Sequence, residues 1–417
     1  MDRFPSRCRR LRWAMGLLLA FPAVTASAAP ARIPAVTPAS SSLPLSAAFL
    51  PAYQQWFDGL AWAAHIDTET VSNLAGGIAP GTVAILVGHA GFSYHTARAG
   101  LWTGGKFTLN VLGIESGNPE DRVGDVQGVS NLYAHSQFRL YRLTFRQHLG
   151  PATLRLGLMS ANDYFDVTGQ AAQLINSSFG ITPTLSGNIP GMATYPYSGL
   201  GVMTAVHGGA WEAKAGWYQG DPIHPFSDPF GQGDMALAEL DYRNTKQERT
   251  YVLKLGAWHY QQRAIYNAVL GPRTSGLYAV AEYAEPLPRG RRLGLFLQAG
   301  STPQSVNLIP YYLGAGFRVK GLLPGRGADV FSMGMTRAWL RNAPYPAETA
   351  CEITYAAQVV PHIFLQPDLQ WVIHPGGLYP NALVAGLSLH VQLLMTCPSR
   401  KGLLVMAGQC DSRIAIM

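Results

Sequence analysis

Apolar and polar residues alternate with a period of two in many short segments of the chain. In the segment 381–393 the odd positions from Leu383 onward are apolar, whereas Ser388, His390 and Gln392 at even positions are polar. This alternation predicts a β-strand whose two faces meet different environments. It also predicts that His390 points away from the apolar face.

The same alternation recurs along most of the chain and predicts roughly sixteen strands. They are placed at 68–76, 82–95, 105–112, 138–148, 153–159, 199–207, 211–219, 236–243, 251–260, 276–283, 293–301, 311–320, 329–338, 349–359, 363–373 and 381–393. On the fourth strand, Tyr141, Leu143 and Phe145 are predicted on one face, with Arg142 and Arg146 on the other.

The connections between these strands tend to alternate short and long. Short ones lie at 148–152, 208–209 and 361–362, and long ones at 113–137, 160–198, 220–235 and 261–275. Tight turns at one end of a sheet and long loops at the other are typical of an outer-membrane β-barrel. The connection between the first two strands is an exception, because it is short where a long loop is expected.

The composition agrees with a barrel wall between lipid and water. Charged residues make up 13% of the chain, against about 25% in average soluble proteins, and the mean hydropathy is only +0.07. Aromatic residues near strand ends suit the two girdles of such a barrel: Trp211, Trp217, Tyr218, Tyr251, Trp258, Tyr260, Trp339 and Trp371. The alternative is an exported soluble β-sandwich, but its solvent face would carry more charge and it would rarely need sixteen strands.

The first 28 residues are predicted to be a secretory signal peptide. Five arginines precede an apolar run at 13–24, and Ala26-Ser27-Ala28 has the small residues that signal peptidase accepts. An uncleaved anchor is the alternative, but the run is shorter than the roughly 20 residues of a spanning helix. Cleavage removes five arginines and Asp2, so the net charge falls from +7 to +3. Bulk charge then gives no argument for nucleic-acid binding.

The mature chain is divided into a periplasmic lead-in at 29–65, a barrel at 66–393 and an atypical tail at 394–417. The cysteines that remain are Cys351, Cys397 and Cys410, and they form no C-x-x-C pair or zinc-type cluster. No metal site and no cofactor are therefore expected.

Several longer strings resemble the carbohydrate-selective porin family, whose members are OprB-like outer-membrane proteins. The strings are Ile175-Asn-Ser-Ser-Phe-Gly-Ile-Thr-Pro-Thr-Leu-Ser-Gly-Asn188, Arg122-Val-Gly-Asp-Val-Gln-Gly-Val-Ser-Asn131, Gln366-Pro-Asp-Leu-Gln-Trp-Val-Ile-His-Pro-Gly-Gly377 and Phe138-Arg-Leu-Tyr-Arg-Leu-Thr-Phe-Arg-Gln147. The resemblance spans about 66–393. It implies an all-β, transmembrane antiparallel barrel of about sixteen strands in the bacterial outer membrane, through which monosaccharides and related small solutes diffuse.

The sequence departs from the family pattern in one strand and at both ends. Arg142 and Arg146 stand where the family often has acidic or neutral groups, which puts strict glucose selectivity in question. The segment before the first strand, 53–62, is also rewritten. Family members end at the last strand, whereas this chain continues for 24 residues beyond Leu393. An extended or frameshifted terminus is one hypothesis for this tail.

The resemblance also implies that the longest connection, 160–198, folds into the lumen and narrows it. A sugar path combines polar groups that bind hydroxyls with aromatic platforms for C–H faces. Arg142, Arg146 and Arg155 are predicted to point inward towards this loop. The candidate constriction residues are Arg142, Arg146, Arg155, Asn162, Asp163, Tyr164, Phe165, Asp166 and Asn176. The alternatives are that the arginines are solvated lining and that Asp163 and Asp166 cap loop backbone groups.

Catalysis is not expected, because no nucleophile motif with a paired base is found among the 11 scattered histidines. An adhesin would need an extra domain larger than residues 29–65. The partners implied are small sugars, outer-membrane lipid and lipopolysaccharide, and the barrel assembly machinery, with the protein as a monomer or trimer. A general, weakly anion-preferring porin without sugar selectivity is the alternative function.

Overall fold

A computed structural model describes residues 58–189, 192–262, 273–303 and 305–396. The predicted signal peptide, residues 29–57 of the lead-in and positions 397–417 of the tail lie outside these residues. The described residues form sixteen β-strands, numbered in chain order: β1 Leu60–Ala75, β2 Gly81–His95, β3 Gly105–Ser116, β4 Gln137–Leu149, β5 Ala152–Met159, β6 Gly199–Gly208, β7 Trp211–Gln219, β8 Gly233–Lys246, β9 Arg249–Gln262, β10 Arg273–Leu287, β11 Arg291–Ser301, β12 Tyr311–Lys320, β13 Val330–Trp339, β14 Ala347–Val360, β15 Ile363–Ile373 and β16 Ala382–Thr396.

Each strand pairs with its neighbours in the chain, and β1 pairs with β16 to close the barrel. All of these pairings are antiparallel, as for β1 with β16. Closure satisfies the backbone donors and acceptors of both edge strands, which would otherwise be unpaired in lipid. The predicted all-β barrel of about sixteen strands is therefore confirmed.

The two faces of the wall follow the alternation of the sequence. On β9, Leu255 is 65% exposed on the outer face, whereas Lys254 next to it is 8% exposed and faces inward. Lys254 donates to the backbone oxygen of Val167 at 2.5 Å, inside the barrel. Apolar side chains thus face lipid, and polar ones face the lumen and the loops within it.

The helices in the described part of the chain are short. They are α1 (Glu120–Val123), α2 (Pro183–Ser186) and 3-10 turns at Ala161–Asp163, Ser177–Phe179, Pro288–Gly290 and Pro375–Gly377. None of the described helices is long and apolar enough to cross a membrane.

Strand ends differ from prediction at the closing seam. β1 begins at Leu60, and β16 ends at Thr396, so residues 60–65 of the predicted lead-in and 394–396 of the predicted tail belong to the wall. Ala61 is paired with Thr396 on one side and with Ser93 on the other. Pairing on both edges forms the strand there, although the sequence at 60–65 shows little alternation.

Three of the eight predicted girdle aromatics face the wrong way. Tyr218, Trp258 and Tyr260 are buried inside the barrel in one apolar cluster, whereas Trp217 is exposed on the outer face. Trp217 and Tyr218 are neighbours, so an extended strand must direct them to opposite faces. The prediction from residue type alone is therefore wrong for these three.

A β-bulge in β4 changes the prediction for Tyr141. Arg142 pairs with Asn110 of β3 and Leu140 pairs with Val111, so Tyr141 has no partner across the ladder. The extra residue turns both Tyr141 and Arg142 towards the lumen, and Tyr141 is only 7% exposed. The strict period of two had placed Tyr141 with the lipid-facing side chains, which is wrong.

Candidate functional site

The connection 160–198 folds into the barrel and is held by carboxylates of β8 and β10. The backbone N–H of Asp166 donates to Glu239 Oε2 of β8 at 2.8 Å, and that of Gln170 donates to Glu282 Oε1 of β10 at 2.7 Å. Charged acceptors make stronger hydrogen bonds to N–H groups than neutral acceptors do. These bonds fix the path of the loop, and its predicted inward course is therefore seen in the structure.

The middle of the loop is held by β14. Glu352 accepts hydrogen bonds from the backbone N–H of Ile175 at 2.6 Å and of Asn176 at 2.9 Å. Glu352 is 2% exposed, and Asn176 is fully buried. Asn176 also donates to Gln370 Oε1 of β15 at 3.1 Å. The segment is thus docked on the wall by donors that have no access to water.

A fourth buried carboxylate holds the neighbouring loop at 117–136. Glu348 of β14 accepts from the N–H groups of Val126 at 2.8 Å, Gln127 at 3.1 Å and Gly376 at 2.7 Å. The N–H of Gly376 comes from the loop between β15 and β16. Two inward loops therefore meet at one side chain, next to the site where 160–198 is docked.

Four of the predicted path residues are buried within this support. Asn162, Phe165, Asp166 and Asn176 are each 3% exposed or less. Asp166 Oδ2 accepts from both the backbone N–H and the hydroxyl of Thr182, at 2.8 and 2.7 Å. These four side chains position the loop and do not reach the open lumen, so their assignment to the solute path is corrected.

The remaining loop residues meet the arginine wall. Asp163 accepts a hydrogen bond from Nη2 of Arg142, and both side chains remain partly exposed, at 21% and 26%. The bulge that turns Tyr141 inward also places Arg142 at this point. An anion on the loop and a cation on the wall therefore face each other beside the lumen.

Tyr164 lies beside this pair and is held from two sides. The guanidinium of Arg155 on β5 lies 4.4 Å from the centre of the Tyr164 ring. Lys214 of β7 donates to the Tyr164 backbone oxygen at 2.8 Å and forms an ion pair with Asp241 at 2.9 Å. The ring of Tyr164 is thereby fixed at the edge of the constriction, next to Asp163.

Burial alters the titration of the loop carboxyl group Asp166. Its side chain lies among the loop and the wall and has lost its water, which raises the pKa of Asp166 to about 7. The hydrogen bonds from Thr182 act in the opposite direction but are weaker than the effect of burial. The loop therefore carries a group that titrates near neutral pH.

A histidine group lies on the wall beside the bulge. The rings of His65 and His89 are stacked with centres 4.4 Å apart, and His89 Nδ1 lies 3.0 Å from Asn110 Oδ1. His390 Nδ1 lies 2.8 Å from Asp67 Oδ1, inside the barrel as the alternation of the last strand predicts. Among the described residues no group of His, Cys, Asp and Glu is arranged to hold a metal ion.

The family model described as "Carbohydrate-selective porin, OprB family" matches residues 89–393 of the chain. The chain belongs to this family. Members of the carbohydrate-selective porin family are channels rather than enzymes, and the family together with the barrel implies a bacterial outer-membrane protein. No curated protein matches the sequence.

Solved structures of an OprB porin share the fold. The high-pH structure of Pseudomonas putida OprB has a TM-score of 0.73 at 17% identity, covering 82% of this chain and 96% of that one. The low-pH structure of the same protein has a TM-score of 0.55 at 13% identity, covering 84% and 98%. At these identities the likeness establishes the barrel fold of this family member and nothing finer.

Sequence reasoning missed the buried carboxylates that hold the inward loops of this porin. Glu352 stands at an inward position of the predicted strand 349–359 and Glu348 directly precedes that strand, where alternation predicts lumen lining exposed to water. A signal was present, because Glu348 and Glu352 of β14 and Asp368 of β15 are three acidic residues at inward positions of two neighbouring strands, more than an open, low-charge lumen needs. The two N–H groups that Glu352 accepts lie 177 and 176 positions away in the chain, so the pairing itself could not be read from the sequence.

Proposed function

We propose that this family member lets monosaccharides and related small solutes diffuse across the outer membrane through its lumen. The observation that carries the proposal is the constriction, where Arg142 of the wall faces Asp163 of the inward loop beside the ring of Tyr164. This combination suits sugars better than it suits inorganic ions or apolar solutes.

The chemistry of the constriction supports passage without tight binding. The carboxylate of Asp163 accepts hydrogen bonds from hydroxyls, and the guanidinium of Arg142 offers donors in a fixed fork. An aromatic ring such as Tyr164 presents a flat face to the C–H side of a pyranose. Both charged groups are satisfied by each other when no sugar is present, so binding replaces existing bonds and stays weak, as conduction requires.

Liposome swelling and planar-bilayer conductance test this function. Purified full-length protein should admit glucose faster than a disaccharide such as maltose, and added sugar should lower the ion conductance. The variant Arg142→Gln should weaken the sugar effect, whereas Arg249→Gln, at the exposed tight turn after β8, should leave it unchanged. Channels whose conductance no sugar alters would contradict selectivity and favour a general porin, and a complete lack of channels would contradict the porin itself.

The remaining features follow from the same proposal. We expect no catalytic activity, insertion by the barrel assembly machinery and contact with lipopolysaccharide around the apolar outer wall. We also propose a cleaved signal at 1–28, which leaves a mature chain without a strong net charge. For the assembly, we propose a monomer, with a trimer as the alternative.

A further inference from the structure

Two neighbouring tight turns, which join β8 to β9 and β10 to β11, form a basic patch on one rim of the barrel. Residues 246–249 and 285–292 contain two carboxylates, Glu248 and Glu285, and five cations, which are Lys246, Arg249, Arg289, Arg291 and Arg292. The turns that join β6 to β7 and β14 to β15 on the same rim contain no lysine or arginine. A tight turn therefore does not itself require this charge.

Three of the cations stand on the outer face of the wall. Arg249 is four residues from Leu253, and Arg291 is four residues from Leu295, and both leucines are exposed on the lipid face. The period of two therefore places both guanidinium groups outside the barrel. Lys246 is paired directly with Arg249 and so lies on the same face. Like charges directly opposite each other destabilise a sheet, and strand pairing does not explain this pair.

The two outward arginines are each positioned through their Nε atom. Nε of Arg249 lies 3.4 Å from Oε2 of Glu285, and the Arg249 side chain is 54% exposed. The same oxygen of Glu285 accepts a hydrogen bond from the hydroxyl of Tyr283 at 2.9 Å. Nε of Arg291 donates to the backbone oxygen of Pro288 at 3.1 Å, which holds this side chain along the turn. Each guanidinium has four further N–H donors on its two Nη atoms.

Aromatic side chains next to the patch lie at the boundary of the membrane. Tyr251 of β9 and Tyr283 of β10 are paired directly, and their ring centres are 4.9 Å apart. Trp211 and Tyr242 continue this belt on β7 and β8, also with ring centres 4.9 Å apart. Such rings lie at the level of the lipid headgroups. Arg249 is two residues closer to the turn than Tyr251, so its charge lies at the level of the phosphates.

A groove runs from the tyrosine pair along the lipid face of β10. Its floor is formed by Ala281 and Ala279, and Ala281 is paired with Leu253 of β9 and with Leu297 of β11. Both leucines are exposed, so a small side chain lies between two large ones that project from the wall. The groove ends at the exposed side chain of Leu277, about 20 Å from the tyrosine pair at the usual rise per residue.

The tyrosine end of this groove is a cavity of about 540 Å³. Its volume lies within the range of about 300–1,000 Å³ that is usual for ligand sites. The outward side chains that line it include those of Tyr251, Leu253, Ala281, Tyr283 and Leu295. An apolar cavity on the lipid face therefore adjoins the basic patch.

We propose that the basic patch and the groove bind one anionic glycerophospholipid of the periplasmic leaflet, of the phosphatidylglycerol type. Short turns face the periplasm in barrels of this kind, which places the patch against that leaflet. A phosphate accepts paired hydrogen bonds from a guanidinium. β9 and β11 lie about 10 Å apart on either side of β10, so Arg249 and Arg291 can reach the same phosphate. A zwitterionic lipid carries a cation as well, which the patch repels.

One acyl chain of this lipid lies in the groove, over Ala281 and Ala279. A lipid chain is surrounded by apolar groups both in the groove and in the bilayer, so the hydrophobic effect does not hold it there. Packing of the chain against the wall and the charge of the headgroup supply the preference instead. The site lies on the outer wall and does not depend on which solutes pass through the lumen.

Native mass spectrometry of purified full-length protein in detergent micelles tests the site, with phosphatidylglycerol, phosphatidylcholine and lipid A as probes. Wild-type protein should retain one phosphatidylglycerol, with at least about fivefold higher affinity than phosphatidylcholine of the same chain length. Arg249→Gln and Arg291→Gln should each lower the affinity for phosphatidylglycerol by about fivefold, the effect of one unit charge at contact in water. Ala281→Leu fills the groove and should also lower it by about fivefold, the effect of about ten lost atom contacts.

Arg98→Gln and Ala238→Leu are the matched controls. Arg98 is an exposed cation in the connection between β2 and β3, on the same rim but away from the patch. Ala238 is an exposed alanine of β8, paired with Ala257 rather than with a residue of the groove. Both variants should bind phosphatidylglycerol as wild-type protein does. Channel conductance in planar bilayers reports for each variant that the barrel has assembled.

The possible results separate the parts of the proposal. Equal affinity for the two phospholipids, or an affinity for phosphatidylglycerol that both arginine variants retain, would overturn the phosphate site. An affinity that Ala281→Leu retains would overturn the assignment of the acyl chain to the groove. Stronger binding of lipid A, which also has phosphates and acyl chains but belongs to the opposite leaflet, would overturn the assignment to a phospholipid of the periplasmic leaflet.

Discussion

Replacement of Glu352 by alanine tests whether a buried wall carboxylate sets the position of the constriction loop. Glu352 is 2% exposed and accepts the backbone N–H groups of Ile175 and Asn176 at 2.6 and 2.9 Å. The variant leaves both donors buried without an acceptor. We therefore expect the docked segment of the loop to open much more often, while the barrel itself stays closed.

The magnitude follows from the two lost bonds. A buried donor without a partner costs about 1–3 kcal/mol, so two of them cost about 2–6 kcal/mol. Even the lower end corresponds to about a 30-fold larger population of the open segment, since 1.36 kcal/mol is a factor of ten. Glu352→Gln keeps one acceptor oxygen and should cost roughly half as much.

Amide hydrogen exchange of peptides that cover Ile175 and Asn176 measures this opening directly. Exchange there should quicken by about 30-fold or more in Glu352→Ala, with single-channel current becoming noisier as the loop moves. Glu115→Ala is the matched control, because Glu115 is an exposed glutamate of the same barrel. Unchanged exchange at 175–176 in Glu352→Ala would refute the claim that this carboxylate holds the loop.

Three further changes probe the loop, the constriction and the outer wall. Burial raises the pKa of Asp166 to about 7, against about 3.9 in the unfolded chain. The folded protein therefore binds more protons than the unfolded chain between about pH 4 and 7, so its unfolding free energy should fall as pH rises through that interval. Urea unfolding of Asp166→Asn should show a shallower pH dependence than wild-type protein, and an identical slope would contradict the raised pKa of Asp166. Asp163→Asn removes the anion beside Arg142 and should raise the preference of the channel for anions by about fourfold, the effect of a unit charge near 5 Å in water. The reversal potential in a salt gradient measures this preference, and an unchanged potential would place Asp163 away from the ion path. Leu255→Arg puts a charge on the lipid face in the middle of β9 and should lower the stability of the protein folded in bilayers by about 2–4 kcal/mol. The control Gln247→Arg, in the tight turn between β8 and β9, should lower the stability little. Equal losses in the two variants would argue against the assigned lipid face.

The sequence by itself determined the class of fold, because a period of two needs only neighbouring residues to be read. Sixteen segments with one apolar face, joined by turns of alternating length, have few arrangements other than a closed barrel in lipid. The same local pattern placed Arg142, Arg146 and Arg155 on the inner face, and Arg142 does meet Asp163 there. Resemblance of longer strings to a porin family added the inward course of the loop at 160–198.

The tertiary structure decided which of those inward groups reach the open lumen. Asn162, Phe165, Asp166 and Asn176 look like sugar-binding residues by type, yet the loop buries them against strands far away in the chain. Tyr141 faces inward because a bulge interrupts the alternation, and no rule on neighbouring residues marks where a bulge falls. Pairing across the sheet, and the burial that it brings, depends on contacts between distant segments, so these features appear once the barrel has closed.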